Sequence, residues 1–350
     1  QHYRRRSFYT RAIQGFCYHR CGSIKKTGPR IRLMFKRGSE WWRMQKVIEA
    51  ELDKLRKQTK KFEDYFQKSR LLNYSKRIMN TPAPSGTATW TRGLKLKELL
   101  ANDGLLDIPG LDFYQNYKNS SNTVIMTGQK EGAKPLWYIA HLDTISYLVT
   151  PSEDNTYPLK PYCYHLLEGE REVEAGILRF NLEEKVYETV GEGKIINDGE
   201  GNPQLKTKKG FKVKPGDRVY INSEPEYDEN TSFIKGNLDN AASVVALAIV
   251  APVLAKLNID AMLAFPDEEE GPSGKGNQTF ARGSRRLIDF FPAPQMSIVA
   301  DLQEENHEGT DSNSAGIGKG ALLAESSSAG RGAVLPPHLY RIAELIGNQI

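Results

Sequence analysis

Apolar positions between residues 40 and 79 recur at helical spacing, with Ile48, Leu52, Leu55, Phe62 and Phe66 set among many charges, and the stretch predicts helix. Thr81-Pro-Ala-Pro-Ser-Gly86 breaks that pattern, and Leu94–Asn102 predicts a second helix, closed by Asp103-Gly104. Then the pattern changes. Thr123–Met126 predicts a short strand, and short continuous apolar runs appear at Leu136–Ala140, Ala261–Phe265 and Gln295–Ala300. Runs of this kind predict strands buried on both faces, the strands of an α/β sheet. Ala241–Leu257 is apolar all round and predicts a buried helix, kinked at Pro252, with Asp239 at its N-terminal end. A further helix is expected over Asn277–Phe290, and another starting at Pro336.

Between Pro151 and Lys235 helical periodicity disappears. Gly176–Phe180, Lys185–Val190 and Arg218–Ile221 read as strands, with turns at Asn197-Asp-Gly199, Glu200-Gly-Asn-Pro203 and Pro215-Gly-Asp217. About 85 residues of this texture predict a small all-β module with its own core. The expected organisation is an α/β domain over 40–150 and 236–350, with residues 151–235 inserted into it. Residues 1–39 would be a basic disordered tail or an artefact, and a start at Met34 or Met44 and an organelle transit peptide are the other readings of that stretch.

Composition changes this picture in two places. The net charge of +5 is local: residues 1–39 hold eleven of the 48 Lys and Arg and no acid, which leaves 37 basic against 43 acidic residues in the rest. A mildly acidic body argues against nucleic acid as a partner. Three cysteines, Cys17, Cys21 and Cys163, are too few for a disulfide framework and fit a reducing, cytoplasmic setting. Cys17-Tyr-His-Arg-Cys21 matches no usual zinc spacing. No run of 18 apolar residues predicts a membrane-spanning helix.

The candidate chemistry stands at the strand ends. Ala261–Phe265 stops at Asp267-Glu268-Glu269-Glu270, with Gly271 and Gly274 following. Leu136–Ala140 stops at His141-Leu-Asp143, and the run ending at Ala300 stops at Asp301. Ligands of open α/β sheets bind beyond the carboxyl ends of the strands. Adjacent carboxylates repel, and a metal ion is the natural counter-charge. Each piece also has an ordinary structural explanation: a solvated acidic turn, a capped core histidine, or a helix N-cap at Asp239. Three strands ending in possible ligands weigh more than any one of them, and together they predict a metal site. His141 can serve as a neutral imidazole ligand, with Asp143 accepting the other ring N–H.

In order, Ala-His141-Leu-Asp143, a β insert, Gly-Asn-Leu-Asp239-Asn, Glu268-Glu269-x-Gly271-x-x-Gly274 and Ala-Asp301 resemble the co-catalytic metallo-aminopeptidases of the glutamyl-aminopeptidase and tetrahedral aminopeptidase family. The separation of 98 positions from His141 to Asp239 falls where that family carries its β lid. Pro84-Ser-Gly86 and Gly318-Lys-Gly320 match two further family motifs. The resemblance covers residues 76–350 and implies an α/β fold, a mixed sheet flanked by helices with an inserted β lid. It implies two divalent ions, Zn2+ or Co2+, held by His141, Asp239, Asp301 and Glu269, with Asp239 bridging. Glu268 would be the general base and Asp143 would orient His141. The implied activity is release of N-terminal residues from short peptides by a homo-oligomer, from dimer to dodecamer.

The match is incomplete. The family's last histidine ligand has no counterpart: His338 belongs to an earlier family segment and His307 follows Asp301 too closely, so a C-terminal truncation is expected. Lys118–Thr123 replaces the usual Asp-x-x-Gly-Asn, and Thr144 stands where an acid often follows. Two alternatives remain, an amidohydrolase or deacylase of the same clan, and a non-catalytic or truncated relative that binds metal without turnover.

Overall fold

The computed structural model describes residues 43, 46–54, 56–58, 60–128, 134–150, 152, 155–162, 171–197, 202–271, 281–302, 321, 323–324 and 334–347. Cys17, Cys21, Cys163, Gly274, His307 and Gly316–Gly320 lie outside them. The chain divides into two units, 59–334 and a second made of 1–58 with 335–350. In the second, residues 46–54 and 56–58 are helical, as is Pro337–Gly347, which carries His338. Among the described residues no helix is long and apolar enough to cross a membrane.

The larger unit is built on a five-stranded mixed sheet. Its strands are β1 (Leu111–Tyr114), β2 (Asn122–Thr127), β3 (Leu136–Ile139), β12 (Ala261–Pro266) and β13 (Met296–Val299), in the order β1-β2-β12-β3-β13. β12 lies parallel to β3, and β3 parallel to β13, while β1 and β2 run antiparallel to their neighbours. Every residue of β2 and β12 is buried, as the continuous apolar run of β12 requires of a central strand, while β2 also buries Asn122, Thr123 and Thr127. β13 departs from the expectation of a third buried strand. It is an edge strand, and among the described residues all four of its side chains are exposed.

Helices α1 (Lys68–Met79), α2 (Arg92–Asn102) and α3 (Ala241–Lys256) cover the sheet. Tyr74 and Ile78 of α1, Leu96 and Leu100 of α2, and Val244, Ala248 and Ala251 of α3 share one core with Ile125, Leu263 and Phe265. Pro252 sits inside α3. A shorter helix, α4 (Arg282–Ile288), is the described part of the expected Asn277–Phe290 segment. It buries Leu287 on the other face of the sheet with Val124, Met126, Trp137 and Met262.

Between β3 and α3 the chain forms a closed barrel. β4 (Ser146–Val149), β5 (Thr156–Pro161), β6 (Arg171–Asn181), β7 (Val186–Asn197), β8 (Pro203–Thr207) and β9 (Arg218–Ile221) close in the order β4-β5-β8-β7-β6-β9. Closure leaves no strand edge unpaired. Tyr147, Ile177, Ile195, Leu205 and Val219 fill its interior. Arg179 forks onto the buried Asp217, both contacts at 2.8 Å. A two-stranded hairpin, β10 (Glu226–Asp228) with β11 (Phe233–Lys235), leads back to α3.

Candidate metal centre

The parallel register sets the site. Ile139 pairs with Ala264 on one side and with Val299 on the other. The pairing continues past the strand ends, through Ala140 N–H to Ala264 O (3.1 Å), Leu142 N–H to Pro266 O (2.8 Å) and Ala300 N–H to Ile139 O (2.9 Å). His141 and Asp301, each two residues beyond a paired position, therefore emerge at one level. Asp239 arrives from the segment before α3. It is not the cap: the N-cap position belongs to Asn240, which makes no side-chain capping bond.

These elements converge on one atom. His141 Nε2 lies 3.1 Å from Asp239 Oδ1, 3.6 Å from Asp301 Oδ1 and 3.9 Å from Glu269 Oε2. One ligand atom each from His141, Asp239 and Asp301 lies within 4.8 Å of the others. The imidazole is 4% exposed, whereas the Asp239 and Asp301 carboxylates are 51% and 46% exposed, so a buried nitrogen meets acids open to solvent. His141 Nδ1 lies 3.0 Å from the backbone carbonyl of Asp143. A carbonyl only accepts, so Nδ1 carries a hydrogen, and Nε2 is the nitrogen that faces the carboxylates and would bind a metal ion once deprotonated. The expected partner residue is right, but the contact is made by its carbonyl, and the Asp143 carboxylate stands farther off, at 3.6 Å.

The Asp143 carboxylate has other partners. Fully buried, it accepts from Ser85 Oγ (2.5 Å) and from the backbone N–H groups of Glu269 (3.0 Å) and Glu270 (3.2 Å). It thus holds the acidic loop in place by its backbone. Burial would raise its carboxyl, but His141, Ser85 and the Glu269 N–H outweigh burial and hold it below the ordinary range. Burial alone would lower the imidazole of His141, yet Asp143, Asp239 and Asp301 push it well above the usual value. Burial raises the Glu269 carboxyl; His141 opposes the shift, and Asp143, Asp301 and Asp239 add to it. A cluster of acids around one imidazole nitrogen calls for positive charge. One nitrogen and two or three carboxylate oxygens form a donor set suited to zinc or a similar divalent ion, so the residues fit the group.

The neighbouring acids are differently engaged. Glu268, at φ +62°, places one carboxylate oxygen on Arg282 and the other on Arg286 of α4. Tyr162, just past β5 of the barrel, adds its hydroxyl to Glu268 Oε1 at 3.4 Å and accepts from Arg282 at 2.5 Å. Arg286 is held in turn by the carbonyl of Ser120, 2.7 Å from its Nε. Ser120 belongs to the 118–123 segment that departs from the family pattern. Asp267 is buried and accepts from the N–H groups of Glu268 (2.7 Å), Gly86 (2.8 Å) and Thr89 (3.3 Å). Burial first, then the charge of Asp143, pushes its carboxyl up to about 8 against the Gly86 and Thr89 bonds. Pro84-Ser-Gly86 is thereby tied to both acidic strand ends. Gly86 does so at φ +87°, a conformation that suits glycine.

Arg282, Arg286 and Tyr162 were missed by the sequence reading, and so was a buried arginine behind the acids. Arg92, at the start of α2, is fully buried. Its Nε donates to the carbonyls of Ile78 (3.1 Å) and Thr81 (3.3 Å), and an Nη to that of Leu142 (2.9 Å), between His141 and Asp143. Burial pulls the guanidinium down to about 10, with Asp143 and Asp239 acting against the shift. It remains charged at neutral pH, a fixed counter-ion behind the acids. Its only sequence signal is an arginine opening a helix, which reads as a solvated residue.

No family model matches the chain, and no curated protein matches it. Solved structures do. PhTET1, solved with a dodecamer in the asymmetric unit, superposes with a TM-score of 0.56 at 17% identity, over 79% of this chain and 80% of its own. The TET aminopeptidase of a marine sediment archaeon of the Thaumarchaeota superposes with a TM-score of 0.50 at 13% identity, over 68% of this chain and 67% of its own. The fold of this chain is the fold of the tetrahedral aminopeptidases.

Proposed function

We propose that the protein is a metal-dependent aminopeptidase that removes N-terminal residues from short peptides. The observation that carries this reading is the convergence of Asp239, Asp301 and Glu269 on Nε2 of His141, at the carboxyl edge of a tetrahedral-aminopeptidase sheet. His141, Asp239 and Asp301 would hold one divalent ion, zinc or cobalt, and Asp239 with Glu269 would hold a second. Bound there, the ions supply an acidified water and a Lewis acid for the scissile carbonyl.

The chain's own residues would do the rest. The Asp143 carbonyl fixes the His141 tautomer, and the Asp143 carboxylate fixes the loop carrying Glu268 and Glu269. Glu268 would act as general base, taking a proton and delivering it to the leaving amine. To do so it must release at least one guanidinium, since both of its oxygens are engaged by Arg282 and Arg286. The barrel would serve as the lid, and Tyr162 places it against Glu268. The dodecamer of PhTET1 makes a homo-oligomer the expected state.

The arginine clamp on Glu268 favours one alternative, a relative that binds metal without turnover. A single experiment addresses both readings. The zinc- or cobalt-loaded protein is given aminoacyl p-nitroanilides and short peptides, each with a free or an N-acetylated amino terminus. Chelator-sensitive hydrolysis of the free forms alone supports the aminopeptidase. Hydrolysis of the acetylated forms alone indicates a deacylase, and stoichiometric metal without hydrolysis indicates the non-catalytic relative.

A further inference from the structure

Asp239 comes from the segment before α3 and Asp301 from just past the end of β13, and among the described residues few hydrogen bonds hold either carboxylate. Asp301 Oδ1 accepts from the N–H of Leu302 at 2.8 Å, a bond within its own turn. Among the described residues one hydrogen bond joins the two segments directly: Asn240 Nδ2 donates to the carbonyl of Ala300 at 2.8 Å. Each end of that bond is the residue next to a candidate ligand, Asn240 after Asp239 and Ala300 before Asp301. Asn240 is fully buried. It stands at the N-cap of α3 but makes no side-chain capping bond, so helix initiation does not explain an asparagine here. Its Oδ1 is also buried and lacks a partner among the described residues. Burying an unpaired amide oxygen is unfavourable, and a small apolar residue would avoid it. The bond that it donates is the one hydrogen bond of this side chain among the described residues.

We infer that Asn240 is a positioning residue that sets the spacing of Asp239 and Asp301 and so the affinity of the metal site. The inference rests on the metal reading above. Outer partners that orient metal ligands typically change affinity by about 10–100-fold when removed. Neither alanine nor aspartate can donate to Ala300 O, and aspartate would set a like charge between the two ligands.

The test compares zinc affinity, by competition with a chelating dye, in the full chain and in Asn240→Ala, Asn240→Asp and Leu205→Ala. Leu205 is buried in the barrel core and serves as a control for loss of stability alone. Unfolding of the metal-free proteins is followed in parallel, and zinc is titrated well below each midpoint. The expected result is zinc binding at least tenfold weaker in both Asn240 variants and within twofold of the parent in Leu205→Ala. Asn240 variants within twofold of the parent overturn the inference while leaving the metal reading intact. An equal loss of affinity in Leu205→Ala also overturns it, because the effect would then follow stability and not ligand spacing. A parent chain that binds no zinc overturns the metal reading itself, and the inference with it.

Discussion

Replacing Arg92 by methionine tests whether the acidic strand ends depend on a buried counter-charge. The guanidinium serves three carbonyls, those of Ile78, Thr81 and Leu142. Ile78 O also accepts from the amide of Thr81 at 3.2 Å, so it keeps a partner in the variant. Among the described residues the Thr81 and Leu142 carbonyls have Arg92 as their donor. Each orphaned group costs roughly 1–3 kcal/mol. Asp143, fully buried, and Asp239 also lose a nearby positive charge. Against this, methionine removes the desolvation cost of a buried ion. Breaking a buried charge network by deleting one member costs about 3–5 kcal/mol on balance, and that is the loss expected for Arg92→Met. Arg92→Lys should fall between, since it keeps the charge and loses the fork. Urea unfolding of the chelator-treated protein, followed by circular dichroism, measures both. A loss below about 1 kcal/mol in Arg92→Met would refute the reasoning, because neither the carbonyl bonds nor the counter-charge would then matter.

Three further outcomes follow from the site. Glu268→Gln should reduce turnover of an aminoacyl p-nitroanilide at least about 100-fold with bound zinc unchanged; retained turnover would remove Glu268 as the base. The metal-free protein should lose stability as pH rises from about 5 to 8. His141 and Asp267 both have folded pKa values above their unfolded ones, so the folded state holds more protons there and the contribution declines through that window. Asp267→Asn should flatten the slope measured by urea unfolding at both pH values, and an unchanged slope would exclude Asp267 as a source. Zinc affinity should move the opposite way and rise with pH, because His141 must give up a proton to bind; affinity independent of pH between 6 and 8 would count against His141 as a ligand.

Much of the sheet was legible because its inner strands bury apolar side chains, fully in β12 and partly in β3. Ala261–Phe265 and Leu136–Ala140 are unbroken apolar runs, and both are strands whose ends carry the candidate ligands. The same signal misled at Gln295–Ala300, because a continuous run does not tell a central strand from an exposed edge. His141, Asp239, Glu269 and Asp301 were legible as ligand types at the ends of elements. Their supporting residues were not. Arg282 and Arg286, four apart on a short helix, look like a solvated basic face, yet both reach Glu268. Tyr162 is a single aromatic 106 positions from its carboxylate partner. Ser85 and Asn240 stood inside quoted motifs, but the side chain of each makes one tertiary hydrogen bond, and local pattern carries no trace of a contact made 58 or 60 positions away. The Asp143 contact shows the finer limit: spacing identified the residue, and only the folded backbone shows that its carbonyl faces Nδ1.

The central claim is that His141, Asp239, Glu269 and Asp301 form a metal centre. Elemental analysis of the zinc-loaded, desalted chain beside His141→Ala tests it most directly. The account predicts up to two zinc ions per parent chain and a clear loss in the folded variant. Equal zinc in the two proteins, or none in a folded parent, would contradict it.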